Sequence, residues 1–240
     1  MIVSHAEPLV AVKAHVVSWQ ARLSAHRAPL VTVGGVLLLA QAVLLFQQRT
    51  FVDLFYDSGN YLAVAHHMVA GAGIFNHLRT PLYPGFLALF LTLDLPHPIA
   101  TAVLVQMLLY GAGVCEAYVL AWRLTGQRWG AAAIATLLAG NLYMLQWERT
   151  INSEGITLWL LITLFLVLER ALHAPERRRW VWLLGGLLVA VVLTRPFFVY
   201  LPLLVLGGML VQAWRSGRFA AQWRQLALVS VLIAGVLGGY

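Results

Sequence analysis

The residues best suited to chemistry follow the first long apolar stretch of the chain. Asp57 lies among aromatic residues there, and the pattern predicts a helix from Asp57 to Val69. A carboxylate at the edge of a membrane can act as a general base, because partial desolvation adjusts its pKa. The structural alternative is that Asp57 caps the predicted helix by accepting backbone N–H bonds.

Glu154 is the second acidic candidate, since it stands immediately before an apolar run. An ionisable group at the boundary of a membrane is costly and therefore indicates function by default. The alternatives are that Glu154 pairs with Arg149 or caps the helix that follows. Sequence alone leaves these alternatives open.

Histidines near Asp57 raise the question of a metal ion. His66 and His77, together with Asp57, could supply the mixed nitrogen and oxygen ligands of a divalent metal. His67 adjoins His66 and points to a different helix face, so at most one of the two joins such a site. No fixed ligand spacing supports the site, and a divalent metal ion as cofactor stays an open question.

The composition indicates whether water or membrane lipid surrounds most of the chain. Of 240 residues, 61% are hydrophobic and 10% are charged, whereas soluble domains have about 45–50% apolar and about 25% charged residues. A soluble globular protein is excluded, because too few charges are present to cover its surface. The net charge of +7 would indicate nucleic-acid binding in a soluble protein, but here it reflects membrane topology. We therefore expect an all-α polytopic membrane protein that contacts membrane lipid and no nucleic acid.

About seven apolar runs predict transmembrane helices. They cover residues 29–46, 98–122, 130–147, 155–168, 180–194, 196–214 and 226–240. Residues 1–28 predict an amphipathic segment on the cytoplasmic membrane surface, and residues 29–240 then form the transmembrane module. A signal peptide that ends near the sequence Ala40-Gln41-Ala42 is the alternative. The run 82–95 is short and flanked by prolines, which predicts a helix on the interface within an outer loop of residues 47–97.

The distribution of cations predicts the orientation. With residues 82–95 kept on one face, twelve of the sixteen cationic residues fall on one side of the membrane. The positive-inside rule places that side in the cytoplasm. The N-terminus is then cytoplasmic, and the outer loop with Asp57 faces the outside of a plasma membrane, expected to be a bacterial inner membrane. The chain ends at Tyr240 within an apolar run, so we expect it to be part of a longer protein.

The order of the motifs resembles that of a known family. The motifs in chain order are Asp57 with Tyr61 four residues later, Gly71-Ala72-Gly73 after an Ala-rich helix, Arg79-Thr80-Pro81-Leu82-Tyr83-Pro84, Trp122-Arg123-Leu124-Thr125-Gly126 and Asn152-Ser153-Glu154-Gly155. Together they resemble the C-type (GT-C) glycosyltransferase superfamily, in the branch of protein O-mannosyltransferases and aminoarabinose transferases. The resemblance extends from about residue 28 to the end of the chain.

The resemblance implies an inverting membrane glycosyltransferase, which moves a hexosyl or pentosyl group from a polyprenyl-phosphate donor to a lipid, glycan or protein acceptor on the outer face. In that family the acid of the first loop is catalytic, which maps onto Asp57, and Glu154 resembles the second acidic position. A leaving phosphate needs cationic stabilisation, for which Arg79 and Arg195 are candidates. Arg195 also fits a tight turn between two spans. Tyr61 and Tyr83 are candidates for substrate binding, and aromatic packing explains them equally well.

Two functions of other classes compete with this interpretation. A small membrane transporter or lipid flippase predicts ionisable or helix-breaking residues at the centre of paired spans, but most of the acids lie at predicted outer ends. A noncatalytic membrane scaffold also fits the sequence. The distinguishing observation is whether Asp57, Glu154 and either Arg79 or Arg195 meet at one cavity.

Overall fold

A computed structural model describes residues 7–48, 50–74, 79–174, 177–217 and 219–238. Within these ranges the chain is helical and contains no strand, and an isolated bridge pairs Asp53 with Thr150. The expected all-α class is therefore confirmed. The helices are α1 (Glu7–Gln48), α2 (Ser58–Val69), α3 (Leu82–Thr92), α4 (Pro98–Thr125), α5 (Arg128–Ala139), α6 (Leu142–Arg149), α7 (Glu154–His173), α8 (Arg178–Thr194), α9 (Leu201–Arg215), which follows a 3-10 turn at Pro196–Tyr200, and α10 (Phe219–Gly238).

Four segments of the described chain are long and apolar enough to cross a membrane. They are Ser24–Gln48, Pro98–Thr125, Glu154–His173 and Pro196–Arg215. A multi-pass membrane protein is thus supported, whereas the predicted number of seven spans is not confirmed. The shortfall comes from shorter helices: α5 has 12 residues and α8 has 17, against the roughly 20 that a membrane crossing needs.

The predicted span 130–147 is broken into α5 and α6. Helix α5 ends at Ala139, and the side chain of Asn141 accepts a hydrogen bond of 3.2 Å from the backbone N–H of Met144, which caps α6. Two short helices therefore replace the single predicted one.

Helix α1 continues through Pro29, where the sequence predicts a boundary between residues 28 and 29. A proline inside a helix leaves the carbonyl four residues earlier without its N–H donor. Here that carbonyl belongs to Ala25, and Nη1 of Arg128 lies 3.5 Å from it. The junction of the two predicted segments is thus not marked by a helix end.

Helices α4 and α7 run in the same direction. Gln106, near the start of α4, bonds to carbonyls at the end of α6 and just before α7. Glu116 lies about two thirds of the way along α4 and accepts a hydrogen bond of 2.6 Å from Thr163 of α7. Arg123, close to the end of α4, pairs with Glu169 at 2.9 Å. The N-termini of both helices therefore lie at the same end of the bundle.

That end also holds α2, α3 and the C-terminus of α8. Thr80, just before α3, donates to the carbonyl of Thr194 at 2.9 Å, and Tyr61 of α2 contacts Ser153 before α7. We call it the site end. Helix α3 has 11 residues, a length of about 16 Å, which is too short to cross a hydrocarbon core of about 30 Å. The helix that the sequence predicts within residues 82–95 is thus present, and its location on the membrane interface stays a prediction.

Candidate functional site

An extended segment before α2 positions Asp57. The backbone N–H of Asp53 donates to the carbonyl of Arg149 at 2.9 Å, so the segment lies along the connection between α6 and α7. Ser58 fastens its other end, because its hydroxyl donates to the carbonyl of Ile151 at 3.0 Å and accepts the N–H of Phe55 at 2.8 Å. Asp57 is thus held between two fixed residues.

The carboxylate of Asp57 pairs with the guanidinium of Arg79. It makes no capping hydrogen bond to α2, although Asp57 occupies the position just before that helix. The alternative prediction that Asp57 serves as a helix cap is therefore wrong. Arg79 also lies over the ring of Tyr61, with its central carbon 4.8 Å from the ring centroid, which is cation–π geometry.

A second ion pair joins Glu154, the first residue of α7, to Arg195. Arg195 lies between α8 and the 3-10 turn and reaches Glu154 from there; the tight turn between two spans stays a prediction. The alternative pairing of Glu154 with Arg149 is wrong. Arg149 is wholly buried and donates from Nη1 to Gln48 at 3.1 Å.

Ser153 connects the two ion pairs. Its side chain is fully buried, and its hydroxyl oxygen lies 3.1 Å from the hydroxyl of Tyr61 and 3.1 Å from Nε of Arg195. Sequence analysis did not single out Ser153 as a functional residue, because a serine before a helix ordinarily indicates a cap. Here it makes no side-chain cap bond, and its contacts to residues 92 and 42 positions away decide its role.

Tyr83 forms the floor of this arrangement. Its ring is fully buried and meets the ring of Tyr61 edge to face at 4.9 Å. The hydroxyl makes no regular hydrogen bond to a described residue, and the backbone N–H of Asn152 lies near it. Burial raises the pKa of Tyr83, so the hydroxyl stays protonated and can donate to a ligand.

An open apolar cavity of about 540 Å³ is lined by residues that are close in sequence to the ion-pair residues. Its wall includes Pro81 and Leu82, which follow Arg79, together with Ile156 after Glu154 and Leu193 before Arg195. The two ion pairs are thus linked through Tyr61 and Ser153, and the cavity is lined by residues two positions away in sequence from Arg79, Glu154 and Arg195. This volume lies within the range of about 300–1,000 Å³ for ligand sites, and its lining suits a hydrocarbon chain.

The described residues offer no group of three or more His, Cys, Asp or Glu side chains that could hold a metal ion. His66 lies nine residues after Asp57 along α2, a rise of about 13 Å, so the two cannot bind one ion. His77 lies outside the described residues. A metal that involves His77 stays a prediction.

Comparison with known families identifies the chain. The family model described as dolichyl-phosphate-mannose-protein mannosyltransferase matches residues 78–237, about two thirds of the chain. Arg79, Tyr83, Glu154 and Arg195 lie within the matched range, whereas Asp57 and Tyr61 precede it. Comparisons with curated proteins and with solved structures gave no significant match. The chain therefore belongs to the dolichyl-phosphate-mannose-protein mannosyltransferase family, and it is a multi-pass membrane glycosyltransferase of the GT-C type.

Proposed function

We propose that this protein transfers a sugar, with inversion, from a polyprenyl-phosphate donor to an acceptor hydroxyl on the outer face of the membrane. The observation that carries the proposal is the pair of carboxylate–guanidinium contacts, Asp57–Arg79 and Glu154–Arg195, which Tyr61 and Ser153 link. Pro81, Ile156 and Leu193, each two residues from one of these charged residues, line the apolar cavity. The polyprenyl chain occupies the cavity, and its phosphate reaches the two guanidinium groups. In this way the apolar cavity suits the hydrocarbon chain of the donor, and the two guanidinium groups suit its phosphate.

Arg79 and Arg195 bind the donor phosphate in this proposal. Each guanidinium carries five N–H donors, and Nη1 of each makes no hydrogen bond to another described residue. Nε of Arg79 is also without a partner there. These donors are therefore available to phosphate oxygens, and they stabilise the charge that develops on the leaving group.

Asp57 acts as the general base. It accepts the proton of the acceptor hydroxyl while the acceptor oxygen bonds to the anomeric carbon and the bond from that carbon to the phosphate oxygen breaks. Polyprenyl phosphate leaves with the bonding electrons. The donor phosphate competes with Asp57 for Arg79, and this exchange frees the carboxylate for the proton. Glu154 is the second catalytic candidate and orients Arg195.

Tyr61 and Tyr83 contribute to sugar binding by shaping the site beside the ion pairs. Tyr61 holds Arg79 over its ring, and the buried Tyr83 supports Tyr61 edge to face. In this proposal the site end faces outward, the N-terminus is cytoplasmic, and residues 29–240 form the transmembrane module behind the outer loop 47–97.

The test is transfer of labelled mannose from polyprenyl-phosphate mannose in membranes that contain the whole protein and their endogenous acceptors. Asp57→Asn removes the base but keeps the shape, and we expect transfer to fall by roughly 10²–10⁴-fold. Asp94→Asn is a matched control, because Asp94 is an exposed acid between α3 and α4 and should leave transfer unchanged. Undiminished transfer by Asp57→Asn would remove Asp57 from the mechanism.

A further inference from the structure

A second pocket lies at the site end, on the side of α6. It has a volume of about 320 Å³, and its wall includes Asp53, Phe55, Tyr143, Gln146 and Trp147. None of these residues takes part in the ion pairs of the candidate site. The volume is at the lower end of the range of about 300–1,000 Å³ for ligand pockets, which suits a small ligand.

Aromatic rings form the walls of this pocket. Trp147 meets Phe55 edge to face at 4.8 Å and Tyr143 edge to face at 5.7 Å. Tyr143 and Phe55 remain 62% and 52% exposed, so both side chains keep accessible surface at the pocket. A ring face of this kind packs against the C–H groups of a flat apolar surface.

Polar groups complete the lining. The exposed amide of Gln146 has both a donor and an acceptor, and one carboxylate oxygen of Asp53 accepts only the N–H of Leu54 at 3.1 Å. Carboxylate and amide groups beside aromatic faces match a pyranose ring, which carries hydroxyls on its edge and C–H groups on its face. An aromatic wall with a carboxylate would also fit an organic cation.

Charge favours the neutral ligand. Arg149 is wholly buried and lies close enough to Asp53 to interact with it electrostatically. Asp53 is the only acid among the residues named for this wall, and the guanidinium offsets its charge. The pocket is therefore close to neutral. A neutral polyhydroxyl ligand suits such a pocket better than an ammonium ion, which needs an uncompensated negative charge.

The pocket is also tied to the candidate site. Asp53 and Asp57 stand at the two ends of one segment that is hydrogen-bonded to residues 149–151. Four residues of chain span at most about 14 Å, so a compound held at Asp53 extends within reach of Asp57. The apolar cavity is lined by a different set of residues, from α2, α3, α4, α7 and α8.

We infer that the pocket at Asp53, Gln146 and Trp147 binds a pyranose ring of the acceptor, so that the acceptor is a glycan or glycolipid. This inference rests on the proposed function, because it assigns the acceptor to a transferase. It differs from the description of the matched family, which names a protein acceptor. The lipid-linked donor and the saccharide acceptor then approach Asp57 from different sides.

The experiment measures binding without transfer. Whole protein in nanodiscs free of glycolipids and sugar detergents is mixed with methyl glucoside, galactoside or mannoside, and saturation transfer from protein to ligand is recorded by NMR. We expect Trp147→Ala to reduce the saturation by roughly fivefold or more, since it removes the central ring contact. Gln146→Ala should weaken it as well, and that side chain is exposed, so the variant folds.

Trp129→Ala is the matched control, because Trp129 is 64% exposed at the start of α5, outside the pocket. It should keep the wild-type signal, including any contribution from a donor-sugar site. Saturation that is equal in wild type, Trp147→Ala and Gln146→Ala would overturn the inference. So would a signal that depends on Trp147 for choline but not for the pyranosides. Asp57→Asn separates the two proposals: it should retain the signal even where it abolishes transfer.

Discussion

Ser153→Ala tests whether the hydroxyl between the two ion pairs organises the site. The substitution removes one buried oxygen, which lies 3.1 Å from the hydroxyl of Tyr61 and 3.1 Å from Nε of Arg195. It leaves both partners in place. It also costs no helix cap, because Ser153 makes no side-chain cap bond to α7.

The size of the effect follows from these two bonds. A neutral hydrogen bond contributes about 1 kcal/mol, and one to a charged group about 1.5–3 kcal/mol. The side chain of Arg195 is 37% exposed, so water replaces part of the lost contact and the lower end of the range applies. The sum is about 2.5 kcal/mol, which corresponds to roughly 60-fold in kcat/KM at about 1.4 kcal/mol per tenfold.

The assay is the initial rate of mannose transfer as a function of polyprenyl-phosphate mannose concentration. Thr157→Val is the matched control, since it removes a buried hydroxyl one turn further along α7 that bonds only to the carbonyl of Ser153 at 2.7 Å. It should leave kcat/KM within a factor of about two. Thermal unfolding of each variant shows whether a loss of rate reflects a loss of fold.

A double-mutant cycle with Tyr61→Phe gives the decisive result. The two side chains share one hydrogen bond, so their effects on kcat/KM should be less than additive, with a coupling energy of about 0.5–1.5 kcal/mol. If the two losses add within about 0.3 kcal/mol, the hydroxyl contact does not link Tyr61 to Ser153 during the reaction. The assigned role of Ser153 would then be wrong.

Two further predictions concern the packing that holds the site end. Gly185→Ala should lower the free energy of unfolding by about 1–3 kcal/mol, because its new Cβ would lie 2.6 Å from Cγ1 of the stiff, buried Val229. Gly186→Ala meets nothing within 4 Å and should be neutral or stabilising by up to about 1 kcal/mol; thermal unfolding in detergent compares them, and equal stabilities would contradict the contact between α8 and α10. Gln106→Leu should cost about 2–4 kcal/mol and reduce transfer, since it strips the carbonyls of Glu148 and Thr150 of a buried donor. The exposed Gln212→Leu serves as its control, and a stable, active Gln106→Leu variant would show that Gln106 does not hold the connection between α6 and α7.

Hydrophobic length was enough to place the long helices but not their ends. The predicted runs 98–122 and 155–168 correspond to α4 and α7, which extend to Thr125 and to Glu154 and His173. Apolar content cannot mark such ends, because a helix continues into polar residues that face the membrane boundary. The break at Asn141 was missed for a related reason: a single capping side chain interrupts a run whose hydropathy stays high.

The order of motifs in the sequence singled out the four charged residues of the candidate site, but it did not predict which acid pairs with which arginine. Asp57 and Arg79 are 22 positions apart, and Glu154 and Arg195 are 41 apart. Which acid meets which cation depends on how α2, α3, α7 and α8 converge. A local rule predicted a cap for Asp57, and a long-range ion pair replaced it.

The pairing also changes what the charges at the site end mean. Counted from the sequence, Arg79 and Arg195 are two free cations for a phosphate. In the structure each contacts a carboxylate, so the four groups together are neutral and attract an anion weakly at long range. Affinity for a phosphate must then arise from directed N–H donors and from the exchange of one anionic partner for another. The affinity for a phosphate thus depends on which guanidinium N–H groups already donate to a carboxylate. The number of arginines in the sequence does not reveal this.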